Sequence, residues 1–530
     1  MKALQEAKEA RNKKQNKIEK IKELKTPLSL YQQLENICQG GLENLANEDS
    51  SYFLKCFGLF QKKDGRFMLR IRIPAGQLTP TQAIKLGELS TQYGEDHIDI
   101  TTRQQLEFRF LALQDLHTIL QELDSVGIST FQTGIDNFRN IVTSSFDGLG
   151  KSAILKTKPL IDELQAIFMH KEEWIGTLPR KFNTAILGNS INDCNIYGHD
   201  CCFVTAKSGD ELGFNLYLGG RVGVQARDTG LFIKESQVVP TFNAVINLFK
   251  EYGFRDNRNK NRLHFLLEAV GMEAFVSAIK EYSGLEYLLS GEILATDEYR
   301  LDSSGIFDLD ERNKAVHLSI PSGVFKGSDL KAVGELAQSV KGEIRLSVEQ
   351  SLYIITSSAQ IENVKSSPLF NAYATYQNIY FNHQIACAGT ATCAFGVIPN
   401  KPDAINLANF LAKEVPIEDG KVRMYWSACP KGCGIHGIAD IGFEGCKAKD
   451  SEGNKIDGVH IYLGGKATRK AKEARVLAKS VPLSEAKYII KNLMEFYCDN
   501  KEVGESFESF EDRVLSSLNS EDILKRVNCL

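Results

Sequence analysis

The segment Gly213-Phe-Asn-Leu-Tyr-Leu-Gly-Gly220 reappears, 245 residues further along the chain, as Gly458-Val-His-Ile-Tyr-Leu-Gly-Gly465. An earlier segment, Ile73-Pro-Ala-Gly76, is likewise repeated as Ile320-Pro-Ser-Gly323, at an offset of 247 residues. An offset that stays almost constant over about 150 residues indicates a tandem duplication. The sequence therefore predicts two copies of one structural unit.

The first copy opens with a β-α-β-β pattern, and the same order returns in the second. Alternating apolar residues predict strands at 65–74, 97–102 and 106–110, with a helix at 79–93. Solenoids repeat every 20–50 residues or so, and this period is far longer. Two copies instead predict a body with pseudo-two-fold symmetry and a cleft between its halves, a usual place for a large cofactor.

The second copy contains two cysteine pairs that short loops can close, Cys387-Ala-Gly-Thr-Ala-Thr-Cys393 and Cys429-Pro-Lys-Gly-Cys433. Two such pairs make a four-thiolate site, the ligand set of a [4Fe-4S] cluster or of a structural zinc. The gaps of five and three residues favour iron-sulfur, because zinc ribbons typically use two-residue gaps. We expect the adjacent Cys201 and Cys202 to point to opposite faces of a strand. The cysteines outside the two pairs are expected to be reduced cytosolic thiols: Cys38, Cys56, Cys194, Cys201, Cys202, Cys446, Cys498 and Cys529.

The cysteine region resembles the cluster segment of the sirohaem-dependent nitrite and sulfite reductases. The resemblance rests on Ile385-Ala-Cys387, Trp426-Ser-Ala-Cys429-Pro-Lys-Gly-Cys433-Gly434 and Ala439-Asp-Ile-Gly-Phe443. It implies that Cys387, Cys393, Cys429 and Cys433 bind a [4Fe-4S] cluster. It also implies that Cys433 is the proximal ligand of the sirohaem iron.

The resemblance extends over about residues 54–500 and implies an α+β fold: a tandem-duplicated, three-domain nitrite/sulfite reductase fold with ferredoxin-like half-domains and two α/β domains. The predicted segments are an N-terminal extension, partly helical or disordered (1–63), a first ferredoxin-like half-domain (64–130), a first sirohaem-binding α/β domain with a helical insert (131–313), a second half-domain (314–382), a cluster- and sirohaem-binding α/β domain (383–480) and C-terminal helices (481–530). The first 25 residues are polar all round, which predicts a solvated helix or disorder, with order beginning near Asp64.

A basic set in the first copy is suited to binding an oxyanion. Such a substrate needs fixed positive charge that binds it and delivers protons as electrons arrive. The candidates are Arg70, Arg139 and Lys181, whose segments resemble the oxyanion-binding segments of the family in order and spacing. Thr101-Thr-Arg103-Gln104 resembles a segment whose arginine pairs with a sirohaem carboxylate, so Arg103 and Gln104 are predicted cofactor contacts.

Two further features of the first copy bear on the ligand. Asn183 stands where the sulfite-reducing branch typically has a second lysine, and nitrite carries one negative charge where sulfite mostly carries two. One fewer ammonium therefore favours nitrite. The basic run Arg255, Arg258 and Arg262 is either a charged helix face or a clamp for cofactor carboxylates.

Composition limits the remaining choices. A net charge of −4 argues against a nucleic-acid partner, no apolar run is long enough to span a membrane, and the N-terminus lacks a secretory signal. No G-x-G-x-x-G motif opens a nucleotide-binding unit, so electrons must come from another protein. The family resemblance implies that this donor is reduced ferredoxin or flavodoxin and that the reaction reduces nitrite to ammonium. We expect a cytoplasmic monomer.

Three alternatives stay open at this point. The first is an assimilatory sulfite reductase with the same cofactors, which the Thr392-Cys393 pair favours because it looks more like the sulfite branch. The second is a sirohaem-free oxygenase with the same fold that acts on a corrin precursor. The third is an iron-sulfur electron carrier or scaffold, which gives no purpose to the basic set.

Overall fold

The computed structural model describes residues 1–221, 223–296, 305–374, 378–467 and 472–527, so Cys529 lies outside the described residues. The strands, in chain order, are β1 (Leu59–Gln61), β2 (Phe67–Ile71), β3 (Gln77–Leu78), β4 (His97–Ile100), β5 (Leu106–Leu111), β6 (Thr184–Leu187), β7 (Cys201–Ser208), β8 (Glu211–Leu218), β9 (Arg227–Lys234), β10 (Leu288–Leu289), β11 (Glu292–Ile293), β12 (Ile306–Asp308), β13 (Asn313–Leu318), β14 (Val324–Lys326), β15 (Glu343–Leu346), β16 (Leu352–Ser357), β17 (Gln384–Ala386), β18 (Met424–Ser427), β19 (Ile441–Lys449), β20 (Lys455–Leu463) and β21 (Arg475–Pro482).

The helices are α1 (Lys2–Arg11), α2 (Lys17–Lys22), α3 (Pro27–Tyr31), α4 (Leu34–Gly40), α5 (Pro80–Tyr93), α6 (Leu116–Asp124), α7 (Lys158–Ala166), α8 (Val238–Tyr252), α9 (Leu263–Val270), α10 (Met272–Ser283), α11 (Gly327–Ser339), α12 (Ile361–Lys365), α13 (Ile379–Asn382), α14 (Lys401–Glu414), α15 (Leu483–Asn500), α16 (Phe507–Phe510) and α17 (Ser520–Arg526). Within the described residues, no helix combines the length and apolar character needed to cross a membrane.

The two half-domains are joined by an exchange of strands. The first sheet has the order β1-β2-β5-β4-β14, so its edge strand comes from the second copy. The second copy's sheet, β12-β13-β16-β15-β3, receives its edge strand from the first copy. Helices α5 and α11 pack closely because glycines face the partner backbone: a Cβ at Gly87 would lie 2.5 Å from the Gly327 oxygen. The two half-domains therefore share one hydrophobic core.

Local geometry repeats between the copies, as a duplication requires. Ala75 and Ser322 occupy equivalent left-handed positions, with φ of 57° and 51°, at the same turn before the exchanged strand. The turn residues Gln104 and Gln350 are left-handed too, at φ of 53° and 61°. The predicted duplication and its β-α-β-β order are confirmed.

Each copy continues into an α/β domain with its own sheet. In the first, β6 pairs in parallel with β7, and the antiparallel strands β8, β9 and β10 follow. In the second, the order is β17-β18-β19-β20-β21, with the first three strands parallel. Cys201 and Cys202 of β7 lie in different hydrophobic clusters, which confirms that they point to opposite faces of the strand.

The N-terminal segment is ordered and docked, which corrects the expectation of a solvated or disordered region with order beginning near Asp64. The Leu4 side chain is 0% exposed and packs in the core of the first α/β domain. Arg11 donates to Asp256 at 2.7 Å. The aromatic side chains of Tyr52 and Phe57 are fully buried in or near the half-domain core. The polar sequence did not predict this docking, because only a few apolar residues and a number of ion pairs attach these short helices to the rest of the protein.

Candidate functional site

The cysteine pairs lie at the ends of two neighbouring parallel strands. Strands β17 and β18 pair with Ala386 opposite Trp426, and the backbone N–H of Cys387 donates to the Trp426 oxygen at 3.1 Å. Cys387 therefore follows one strand, and Cys429 follows the next only two residues after its last residue. Because parallel strands end at the same edge of a sheet, both pairs are delivered to one crevice.

Glycines allow the two cysteine loops to fold tightly against the strand ends. A Cβ on Gly389 would lie 1.6 Å from the Pro399 oxygen, and a Cβ on Gly434 would lie 1.8 Å from the Trp426 oxygen. Gly432, between Cys429 and Cys433, has φ of 65°. Any side chain at the first two positions would push its loop away from the crevice.

The donors around Cys387 fit a thiolate that binds a cluster. Its Sγ accepts from the Ala428 backbone N–H at 3.3 Å and from Asn400 Nδ2 at 3.6 Å. Hydrogen bonds of this kind to cluster sulfurs set the reduction potential. Burial raises the pKa of the Cys387 thiol to about 12, partly offset by the Ala428 N–H, so a bound metal would have to drive its deprotonation.

The donor set itself suits an iron-sulfur cluster. Cys387, Cys393, Cys429 and Cys433 supply four thiols, the ligand number of a [4Fe-4S] cluster, from two loops at the same edge of the sheet. Their binding of a cluster stays a prediction.

The predicted oxyanion residues of the first copy meet along two neighbouring segments. Phe138 and Phe182 pair in a parallel bridge, and the Arg139 N–H donates to the Phe182 oxygen at 2.8 Å. Both phenylalanines point into the core of the domain. Because side chains alternate along extended backbone, the residues flanking them lie on the opposite side. This arrangement brings Arg139 together with Lys181 and Asn183.

A turn between β4 and β5 adds Arg103 to the same group. The Asn140 side chain, fully buried, donates to the backbone oxygens of Ile73 at 2.6 Å and Arg103 at 3.1 Å. The Thr101 hydroxyl accepts the Arg103 backbone N–H at 3.2 Å. Asn140 is a positioning residue that sequence reasoning did not single out, although it directly follows Arg139.

Three cations of this group have no carboxylate partner among the described residues: Arg103, Arg139 and Lys181. Arg139 donates only to backbone oxygens, those of Ile135 at 2.9 Å and Asn137 at 3.3 Å. Burial, followed by repulsion from Arg103, holds the pKa of Lys181 well below its usual range. Arg139 is buried, and Arg103 and Lys181 are half-buried. Cations that are withdrawn from water without counterions favour an anionic ligand.

Cys433 of the second copy faces this group. Burial and then Arg70 lower the pKa of the Arg103 guanidinium to about 10, while the Cys433 thiolate acts in the opposite direction. The same thiolate opposes the lowering of the Lys181 pKa. The two copies therefore bring the last cysteine and the basic set together.

Arg70 differs from these three because it has a carboxylate partner. Its Nε and Nη2 donate to Glu107 Oε1 at 2.8 and 2.7 Å, and its Nη1 donates to the Thr133 oxygen at 3.2 Å. Repulsion from Arg70 contributes to lowering the pKa of both Arg103 and Arg139, after burial. Arg70 thus belongs to the group, but Glu107 holds one edge of its guanidinium.

The side chain of Gln104 bonds to backbone groups of both copies. Its Nε2 donates to the backbone oxygens of Thr143 at 3.1 Å and Leu346 at 2.9 Å, and its Oε1 accepts the Thr143 N–H at 3.2 Å. Gln350 makes the equivalent bonds in the second copy, to Ile100 and Ala386. These bonds fix the turn that carries Arg103, and a contact of Gln104 with the cofactor stays a prediction.

The basic run of the helical insert is neither a free charged face nor a free clamp. Arg255 pairs with Glu19 at 2.6 Å, and Arg258 pairs with Asp136 at 2.7 Å. Arg262 pairs with Asp200, also at 2.6 Å. All three arginines are therefore committed to carboxylates within the chain.

A cleft between the copies has an empty volume of about 250 Å³, part of it open to solvent. Its described lining includes Tyr197 and Arg221 from the first copy and Ile438, Lys466 and Ala467 from the second.

Fold and site define a class of protein: a duplicated α+β redox protein in which a four-cysteine segment of one copy faces unpaired cations of the other.

Comparison with known proteins gives the family. The model of the nitrite and sulphite reductase 4Fe-4S domain matches residues 134–287 and 383–507, and that of the nitrite/sulfite reductase ferredoxin-like half domain matches residues 60–126. The chain therefore belongs to the nitrite and sulfite reductase family and is an oxidoreductase. The predicted family and enzyme class are confirmed.

Individual relatives agree with this assignment. A ferredoxin–nitrite reductase of Synechococcus elongatus is 33% identical, over 86% of this chain and 91% of its own length. The chloroplastic ferredoxin–nitrite reductase of Oryza sativa is 30% identical, over 90% of this chain and 84% of its own. The structure of the Mycobacterium tuberculosis NirA protein has a TM-score of 0.88 at 24% identity, covering 97% of this chain and 98% of that one, which confirms the predicted fold.

Proposed function

We propose that this protein reduces nitrite to ammonium in a six-electron reaction, with electrons supplied by reduced ferredoxin or flavodoxin. The observation that carries the proposal is a set of buried and half-buried cations beside Cys433 that have no carboxylate partner among the described residues: Arg103, Arg139 and Lys181. An electron carrier or scaffold would have no use for such a set. The names of the relatives from Synechococcus elongatus and Oryza sativa support the same substrate and donor.

Two prosthetic groups belong to this proposal. Cys387, Cys393, Cys429 and Cys433 would hold the [4Fe-4S] cluster, and Cys433 would also face the sirohaem. Arg103 would pair with a sirohaem carboxylate, since its guanidinium has no partner in the part of the chain that the structure describes and a bidentate pair with a carboxylate suits its geometry. When bound, these groups supply the electron-transfer chemistry, and the protein supplies position and charge.

The anion is bound by the chain's own cations. Arg139 and Lys181 attract the negative charge of nitrite, and Arg70 presents the part of its guanidinium that Glu107 leaves free. Because burial lowers the pKa of Lys181 well below its usual range, its ammonium gives up a proton more readily than an exposed lysine does. Lys181 would therefore both bind the substrate and donate protons to it.

Nitrite is preferred over sulfite in this proposal because of Asn183. Its side chain lies on the same side of the segment as Lys181 and brings no charge to the site. Assimilatory sulfite reduction with the same cofactors is the competing function, since sulfite would also be attracted by the three free cations.

Electrons would enter from the surface near the cluster. Phe395, in the loop that follows Cys393, is 61% exposed, and Lys431, between Cys429 and Cys433, is exposed as well. An apolar side chain and a cation beside the cluster suit the docking of a small acidic carrier protein.

Two measurements on the purified protein test the proposal. The visible spectrum of the as-isolated protein should contain the red absorption band of sirohaem and should change on adding nitrite. Paired turnover assays with a reduced viologen dye should give a higher specificity constant for nitrite than for sulfite. A higher constant for sulfite would select the competing function, and a spectrum without the red band would reject both.

A further inference from the structure

A continuous chain of ion pairs runs from Arg70 to the second copy. Glu107 accepts from Arg70 through Oε1 at 2.7 Å and from Arg109 through Oε2 at 2.6 Å. Arg109 donates its Nε to Asp99 at 2.6 Å. Asp99 also accepts from Lys401 Nζ at 2.8 Å. The three middle residues are buried, so the chain is not screened by solvent.

Strand register explains how these residues meet. Arg70 of β2 stands opposite Glu107 of β5, and Glu107 stands opposite Asp99 of β4. Residues directly opposite each other on neighbouring strands have their side chains close together. Lys401 reaches the chain from the first residue of α14, and the residue before it, Asn400, contacts the Cys387 sulfur. This series of ion pairs thus begins at Arg70 in the basic set and ends at Lys401, next to a cluster cysteine.

The second copy has the same strands without these ion pairs. At the positions equivalent to Arg70 and Glu107 it has His317 and Tyr353, which stand opposite each other and stack with ring centroids 4.8 Å apart. At the position equivalent to Arg109 it has Ile355. At the position equivalent to Asp99 it has Arg345, which pairs with Glu343 of its own strand. The duplicated sheet therefore forms without this series of linked ion pairs, and their presence in the copy that carries the basic set needs another reason.

The geometry of Arg70 provides that reason. A guanidinium has five N–H donors in a rigid plane. Glu107 takes two of them on one edge and the Thr133 oxygen takes a third, which leaves two donors on a defined side.

We propose that Glu107 is a positioning residue that fixes the free edge of Arg70 toward the bound anion, and that Arg109, Asp99 and Lys401 in turn hold Glu107. The proposal rests on the proposed function, in which Arg70 contacts the substrate. It assigns to the ion-pair chain a task that the fold itself does not require.

A double-mutant cycle on the holoenzyme tests the proposal. The variants are Glu107→Gln, Arg70→Ala and the double variant, each assayed for kcat and KM with nitrite and for the nitrite dissociation constant from the visible spectrum. Glutamine keeps the shape of the side chain, but its amide nitrogen would face a donor of Arg70 or Arg109. Since a hydrogen bond to a charged group contributes about 1.5–3 kcal/mol, we expect Glu107→Gln to raise KM and the dissociation constant by about tenfold or more.

The cycle separates positioning from a general structural role. If Glu107 acts through Arg70, Glu107→Gln changes nothing further in the Arg70→Ala background. Equal effects in both backgrounds would overturn the proposal, as would unchanged KM and dissociation constant in the single variant. Glu107→Asp, which keeps the charge on a shorter side chain, should give a smaller increase and serves if Glu107→Gln does not fold.

A matched control and the wild type complete the experiment. Glu343→Gln breaks an ion pair with Arg345 in the sheet of the second copy and should leave all three constants unchanged. A wild-type protein without a sirohaem band or without nitrite turnover would reject the proposed function itself, and the positioning role with it. If the wild type has the sirohaem band and turns over nitrite, but the variants do not change KM and the dissociation constant as expected, only the positioning role is rejected.

Discussion

Replacing Asn183 by lysine should move the enzyme from nitrite toward sulfite. The Asn183 side chain is 3% exposed, and its Oδ1 lacks a hydrogen-bond partner among the described residues. Its backbone is fixed by Asp200, whose Oδ2 accepts the Asn183 N–H at 2.8 Å. The substitution therefore places a second ammonium beside Lys181 on a backbone that is already held in place.

The magnitude follows from the extra charge on sulfite. One additional charge pair at about 4 Å is worth roughly 4 kcal/mol at an effective dielectric constant near 20, which corresponds to about a thousandfold. Burial of the new ammonium and repulsion from Lys181 and Arg103 will reduce this gain. We expect the ratio of kcat/KM for sulfite to kcat/KM for nitrite to rise at least about tenfold.

Turnover assays with reduced viologen on the wild type, Asn183→Lys and Asn183→Met would measure this ratio. The methionine variant has a similar length without the charge and controls for the loss of the amide. A ratio that is unchanged in Asn183→Lys, or that rises equally in Asn183→Met, would refute the electrostatic reasoning. The visible spectrum of each variant must match the wild type for the comparison to hold.

Three other predictions follow from the same structure. Lys181→Ala should leave the visible spectrum intact and lower nitrite turnover by about tenfold or more, because a buried cation at the anion is lost; full activity would remove its assigned role. Cys433→Ser should abolish the electronic coupling between cluster and haem in electron paramagnetic resonance spectra, and retained coupling would contradict the assignment of Cys433. Asp440→Asn should lower the free energy of unfolding, measured in urea titrations, by about 3 kcal/mol. The substitution removes one of the two carboxylates that pair with Arg423, a residue that is 2% exposed, and leaves it Glu508. A loss below about 1 kcal/mol would contradict this prediction.

Sequence alone was sufficient for features that are encoded locally or by repetition. The duplication was visible because the same residues recur at a nearly constant offset, and the structure confirms it in equivalent turns at Ala75 and Ser322. The strands and helix of the half-domain followed from the pattern of apolar residues, and the structure shows that Thr79 caps α5 with Gln82 and that Pro80 stands at its start. The cysteine spacing identified the cluster segment for the same reason, because a short loop keeps two thiolates together wherever it lies in the fold.

The ion-pair partners were decided only by the tertiary structure. The N-terminal helices looked solvated because their contacts, such as Arg11 with Asp256, are made to residues far along the chain. The backbone partners of Gln104 come from both copies, Thr143 from the first and Leu346 from the second. Lys401 and Asp99 are 302 residues apart, and each alone looks like an ordinary surface charge. A pattern of neighbouring residues cannot reveal such pairs, because strand register and the exchange of strands between the copies determine which charges meet.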